Sequence, residues 1–243
     1  MKYLAIVALM LMGPVGLFAV PQNSTGGASA ETKGQQAVQD RLDKSANVLN
    51  ELLSAKDKGI PDDVLKSAKC VAVVPSMLEG GFIFGAEHGK GVATCRTAEG
   101  WSAPAFLTIS GGSWGAQIGG EAVDLVMLFM TDEGAKQLLG AKFKLGGDAS
   151  VAAGPLGRDA SANTDWKFNT EILTYSRARG VFVGINLNGA VIHQDTDSTA
   201  AVYGPNVSFR QILTGQVPPP SDTAAQRFIA TVSQDKAEAA ARQ

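Results

Sequence analysis

Between residues 101 and 130 the chain reads WSAPAFLTISGGSWGAQIGGEAVDLVMLFM, and no other stretch narrows the available folds so far. Residues 105–109 and 122–130 are apolar runs of strand length. They are too hydrophobic for a sheet with one wet face, so cover on both faces is expected. Gly111, Gly112, Gly115, Gly119 and Gly120 lie between them, and glycine at that density in strand-like sequence marks bulges or close backbone approach. Thr131 or Asp132 then stands where it can cap a short helix ending at Gly140.

Strand signals continue on both sides. Residues 70–75 (CVAVVP) read as a buried strand closed by proline, and residues 81–86 and 91–95 as the arms of a hairpin turning at 87–90. Residues 166–175 alternate, with Trp166, Phe168, Thr170 and Ile172 on one side and Lys167, Asn169 and Glu171 on the other. Residues 181–187 and 190–193 flank Asn188-Gly189, the strongest short hairpin signal in the chain.

Helical periodicity covers the ends. From 35 to 56, Val38, Leu42, Ala46, Leu49 and Leu53 recur at three- and four-residue steps, with Leu52 alongside. Pro61 sits at the first turn of a second helix running to Ala68. Asp195 or Asp197 caps a helix to Tyr203, and Ser208 caps another that ends at Gly215. After the spacer Pro218-Pro219-Pro220, a last helix carries a stripe of Ala225, Phe228, Ile229 and Val232. No fixed period repeats, so a solenoid is excluded. The expected fold class is α+β: a mostly antiparallel sheet curled into a barrel or sandwich, with N-terminal amphipathic helices and C-terminal helices. The expected organisation is a signal peptide over 1–20, a flexible linker over 21–34, one domain over 35–215, and the proline spacer and C-terminal helix over 216–243.

Three separated strings, SGGSWGAQIGGEAVDLVMLFM, KFKLGGDASVAAGPLGRDASANTD and EILTYSRARGVFVGINLNGAVI, resemble the SYLF domain family across roughly residues 40–215. The resemblance implies binding of membrane lipids, phosphoinositides among them, and, in fungal members, regulation of actin. No cofactor and no metal are expected.

A net charge of −2 and a pI near 5.7 supply no basic field, which counts against nucleic acid as partner. Anionic phospholipid must then be met by a local patch, and Lys56, Lys58, Lys66 and Lys69 form one. In the loop Gly154-Pro155-Leu156-Gly157-Arg158 the glycines offer backbone N–H groups, and Arg158 can fork onto a phosphate. The other reading of Arg158 is a structural turn residue pairing with Asp124 or Glu121. The helix over 35–56 packs its apolar face on the sheet or, in the sharper reading, inserts it into a membrane.

Lys2, the apolar run to Met12 and small residues downstream have the pattern of an export signal, so a periplasmic, cell-envelope or secreted protein is expected. In that setting Cys70 and Cys95 favour a disulfide over two buried thiols. Asp124 lies inside an apolar strand, where an unpaired carboxylate is costly, so hydrogen bonds or a cationic partner are expected, with Arg158, Arg177 and Arg179 available.

Two motifs are decoys. Gly111–Gly115 matches G-x-S-x-G letter for letter, but no helix follows Ser113 and neither His88 nor His193 stands in the chain order of a hydrolase triad. Asp195-Thr196-Asp197 resembles half of a calcium loop, without its closing glutamate. The leading expectation is therefore a non-enzymatic exported lipid-binding protein. A protein-interaction scaffold comes second, and a serine hydrolase last.

Overall fold

A computed structural model of the chain describes residues 25–55, 59–81, 84–114, 119–157 and 170–233. The chain enters through α1 (Thr25–Ser54) and α2 (Asp62–Ser67), and then forms β1 (Cys70–Gly81), β2 (Phe84–Thr97), β3 (Gly100–Trp101), β4 (Ala105–Trp114) and β5 (Gly119–Phe129). After α3 (Asp132–Leu138) come β6 (Lys142–Lys144), β7 (Val151–Ala153), β8 (Ile172–Ala178), β9 (Val181–Phe182) and β10 (Val191–Gln194). Three helices close the described chain: α4 (Thr196–Tyr203), α5 (Phe209–Leu213) and α6 (Thr223–Val232). The strands make one curled, half-barrel sheet in the order β6-β10-β4-β2-β1-β5-β8-β7, with β3 added to β2 and β9 to β8. Every pairing is antiparallel except β7 with β8.

Alternation along the strands sorts the core into two clusters. On the inner face Ala72, Val74, Leu107, Ile109, Leu125, Met127 and Phe129 pack with Leu138 of α3, Phe143 of β6, and Phe209 and Ile212 of α5. On the outer face Val71, Val73, Val92, Phe106, Val126 and Leu128 pack under α1, α2 and α6. Both faces of the central strands are covered over these residues, which is why they read as unbroken apolar runs. Val38, Leu42, Ala46, Leu49 and Leu52 of α1 are all buried, and α6 lies beside α1 with Ala225, Phe228 and Val232 in the same cluster. The apolar face of α1 is therefore core, which corrects the membrane-insertion reading of this helix. Among the described residues no helix is long and apolar enough to cross a membrane.

Several expectations change. Residues 87–90 are not a turn: β2 runs straight through them as one strand of a hairpin with β1. Its glycines answer close approach instead, because a Cβ on Gly89 would lie 2.5 Å from Val74 Cγ1 and one on Gly91 2.6 Å from the Val73 carbonyl. Helix α1 begins at Thr25, inside the stretch read as linker. Ala28, Ala30, Glu31 and Lys33 favour helix once the packed turns downstream have nucleated it. Asn188-Gly189 does turn, with Gly189 at φ +94° and Ala190 N–H bonded to the Leu187 carbonyl at 3.0 Å. It does not join two paired strands, because Leu145 captures the turn from both sides and β10 pairs with β4 and β6. The strand expected over 166–175 starts only at Ile172 and is buried on both faces rather than alternating; residues 166–169 lie outside the described residues, as do the signal segment and residues 234–243.

The helix caps follow the sequence. Thr131, Asp195, Ser208 and Asp222 each accept from a backbone N–H in the first turn of α3, α4, α5 and α6. Ser208 and Gln211 complete a reciprocal capping box.

Cys70 and Cys95 are direct register partners on β1 and β2 and form a disulfide spanning 25 positions of sequence. Both are buried in the inner cluster. Chain-entropy reasoning gives this closure about 3–4 kcal/mol of stability. Protein from an oxidising compartment, denatured without reductant, is expected to titrate no thiols, and Cys70→Ala/Cys95→Ala to melt well below wild type; two free thiols per chain would remove the bridge.

Candidate functional site

Of the cations singled out in the sequence, Lys66 and Lys69 are among the described residues. Lys66 is exposed in the last turn of α2. Lys69 is half exposed and engaged, with its Nζ 3.1 Å from Asp132 at the start of α3. Lys56, Lys58 and Arg158 lie outside the described residues, but their chain neighbours meet: the Gly157 N–H donates to the Gly59 carbonyl at 3.2 Å. Gly59 is required there, because a Cβ would stand 2.4 Å from the Leu52 carbonyl at the end of α1. The segment following Lys58 and the segment preceding Arg158 are thus joined, with Leu156 exposed beside them.

The loop from Gly154 to Gly157 is a structural turn rather than an open anion cradle. The Gly154 N–H donates to the Thr174 carbonyl at 2.9 Å, and Gly157 is engaged as above. A side chain at Gly154 would collide with the Tyr175 ring, and the Tyr175 hydroxyl donates to the Pro155 carbonyl at 3.2 Å. The expectation of free glycine N–H groups is corrected on that ground.

Asp124 is half-buried. Its Oδ1 accepts from the Ser76 N–H at 2.9 Å and its Oδ2 from Arg177 Nη2 at 3.3 Å. Arg177 also bonds Glu51 of α1. Ser76 has φ +49° at a register shift in β1 just after Pro75, so the carboxylate caps a bulge in the neighbouring strand.

A second network was not legible in the sequence. Buried Asp195 accepts from Arg41 Nη1 at 3.1 Å, Lys90 Nζ at 2.9 Å and Ser198 Oγ at 2.8 Å, besides the Ser198 N–H of its cap. Burial works against its charge, but the hydrogen bonds from Lys90 and Ser198 outweigh that and hold its pKa at about 2. Its capping position was readable; its cationic partners come from α1 and β2, 154 and 105 positions away.

Residues 111–114 of the G-x-S-x-G match and both histidines lie on strands. Ser113 lies within β4 opposite Gly85, His88 within β2 opposite Ser110, and His193 within β10 opposite Thr108. Among the described residues no three His, Cys, Asp or Glu side chains are grouped to hold a metal ion.

Two outcomes are expected from these networks. Asp124→Ala leaves the Ser76 N–H and one arm of Arg177 without an acceptor, and is expected to cost about 1–3 kcal/mol in chemical denaturation; an unchanged midpoint would place the carboxylate in water. For Asp195 the folded pKa lies below the unfolded value of about 3.9, so its contribution, on the order of 2 kcal/mol, is complete above that value and is lost as pH falls toward about 2. Asp195→Asn is expected to lower stability at neutral pH and to flatten the acid limb of a stability-versus-pH curve. An acid limb identical to wild type would overturn this.

Residues 110–234 match the family model described as Las17-binding protein actin regulator. The chain is 33% identical over 195 residues to LAS seventeen-binding protein 3 of Saccharomyces cerevisiae, covering 76% of this chain and 42% of that protein. It is 33% identical over 199 residues to Protein YSC84 of the same yeast, covering 77% and 42%. With SH3 domain-containing YSC84-like protein 1 of Rattus norvegicus it shares 34% identity over 185 residues, 73% of this chain and 54% of the relative. The chain spans about half the length of the curated relatives it matches.

Proposed function

Because the chain belongs to the Las17-binding protein actin regulator family, the SYLF-domain proteins, we propose that it is a non-enzymatic, exported protein that binds anionic phospholipid headgroups at a membrane surface. What supports this reading is exposed Lys66 on α2 and exposed Leu156, whose loop is joined to the turn after α1 by the Gly157–Gly59 hydrogen bond. Surface lysines and an exposed apolar side chain suit a surface where phosphates overlie acyl chains. Each lysine close to such a surface contributes about 1 kcal/mol. Export to a periplasm or cell envelope is supported by the Cys70–Cys95 disulfide, since such bonds persist mainly in oxidising compartments.

The second reading is a protein-interaction scaffold. It is favoured by the names of the relatives, which describe binding to LAS seventeen and an attached SH3 domain.

Co-sedimentation separates the two. The protein is expected to pellet with phosphatidylcholine vesicles containing phosphatidylserine or a phosphoinositide and not with phosphatidylcholine alone. Charge reversal at Lys56, Lys58, Lys66 and Arg158 is expected to weaken this, and so is salt, because the Debye length shrinks to about 3 Å near 1 M. Failure to pellet with anionic vesicles at low salt, together with pelleting on filamentous actin, would transfer the assignment to the scaffold.

A further inference from the structure

Of the eight asparagines in the chain, only Asn188 precedes a glycine. That dipeptide is chemically labile. The backbone nitrogen of the glycine can attack the asparagine Cγ, and glycine neither blocks the approach with a side chain nor restricts the backbone angles it needs. A new N–Cγ bond forms, the Cγ–Nδ2 bond breaks, and ammonia leaves with the amide proton supplied through solvent. The product is a succinimide ring, which water opens at either carbonyl to give aspartate or isoaspartate.

The fold holds both reacting atoms. Gly189 takes the positive-φ position of the turn, at φ +94°, and the Ala190 N–H closes that turn on the Leu187 carbonyl at 3.0 Å. The nucleophile is engaged: the Gly189 N–H donates to the Leu145 carbonyl at 2.8 Å, and the Leu145 N–H donates to the Ala190 carbonyl at 2.8 Å. The electrophile is covered by the next residue along. A Cβ on Gly146 would stand 2.2 Å from Asn188 Oδ1 and 3.0 Å from Asn188 Cγ, so the carboxamide occupies the space that a side chain at 146 would fill. Gly146 also has φ +73°, so its backbone and its lack of a side chain both serve this contact. Asn188 itself is exposed. Water and base reach it, and the constraint on reaction is geometric.

We propose that Asn188 is a deamidation site gated by the fold: Leu145 and Gly146 keep nucleophile and electrophile from meeting, and conversion proceeds only from molecules in which this turn has opened. For attack, the Gly189 nitrogen must release the Leu145 carbonyl and Asn188 Cγ must leave Gly146. Such an opening is local, because β6 is a three-residue strand at the end of the sheet, paired with β10 alone, and edge elements open at lower free energy than the core. Conversion is also one-way. Isoaspartate adds a backbone atom between positions 188 and 189, so the Gly189 N–H and the Ala190 carbonyl no longer reach Leu145 together. The modified chain therefore has a loosened β6–β10 edge. This inference does not depend on the lipid reading.

The test follows wild-type protein in mildly alkaline buffer, folded and in urea. Mass spectrometry reads the peptide carrying Asn188, and protein isoaspartyl methyltransferase marks isoaspartate. In urea Asn188 is expected to convert ahead of every other asparagine. In the folded protein its conversion is expected to be roughly tenfold slower or more, since each event waits for the turn to open. Equal rates in the two conditions would overturn the gating, and no conversion in urea would overturn the site. Gly146→Ala puts a Cβ against Asn188 Oδ1 and is expected to speed conversion several-fold in the folded protein; a folded variant converting at the wild-type rate would overturn the proposal. If that variant does not fold, hydrogen exchange of the wild-type Gly189 amide decides. Its exchange rate and the deamidation rate are expected to rise in parallel as urea increases below the unfolding midpoint, and deamidation that stays constant while exchange rises would overturn the proposal.

Discussion

The sheet depends on how its central strand accommodates a proline. β1 is hydrogen-bonded on both sides, to β2 and to β5, yet it contains Pro75, which has no N–H for the ladder. The strand answers with a bulge: its register shifts against both neighbours, and Ser76 turns to φ +49°. That leaves the Ser76 N–H pointing away from any ladder partner, and Asp124 of β5 accepts it. One carboxylate thus resolves a backbone problem in the next strand. Its second oxygen receives Arg177 of β8, which also reaches Glu51 on α1, so the bulge, the sheet and the first helix are joined through a single side chain.

Helix α1 is held by that network and two others. Arg41 reaches Asp195 at the start of α4, and Asp43 receives Arg227 of α6 at 3.0 Å. At Asp195 the hydrogen bonds outweigh the desolvation of the carboxylate, so this network adds stability as well as fixing position. What stabilises the helix is its apolar face, from Val38 to Leu52 in the outer cluster. Peeling α1 away to present that face to lipid would expose the core of the sheet as well. The fold therefore argues against insertion of this helix.

How much was legible depended on the range of the interactions. Caps and core faces were legible because they are local: Thr131, Ser208 and the heptad-like spacing in α1 need only a few residues of context. The Cys70–Cys95 pairing followed once the first strand was laid antiparallel to its neighbour. Glycine was the main source of error. Gly89 looked like a turn residue but serves close packing against Val74, and sequence alone does not separate those two uses. The glycines of the 154–157 loop looked like an anion cradle but bond their own scaffold. The Asp195 network was hidden for a different reason: its cationic partners come from α1 and β2, 154 and 105 positions away.

Strand register also determines what kind of surface the sheet offers. An amphipathic helix gains affinity by folding or reorienting at the bilayer, with an ordering cost. A β-sheet face is already ordered, and its neighbours are fixed by ladders on each side. The register places Cys70 opposite Cys95, so that end of the sheet is closed by the disulfide and packed in the inner cluster with Leu138 of α3 and Phe209 of α5.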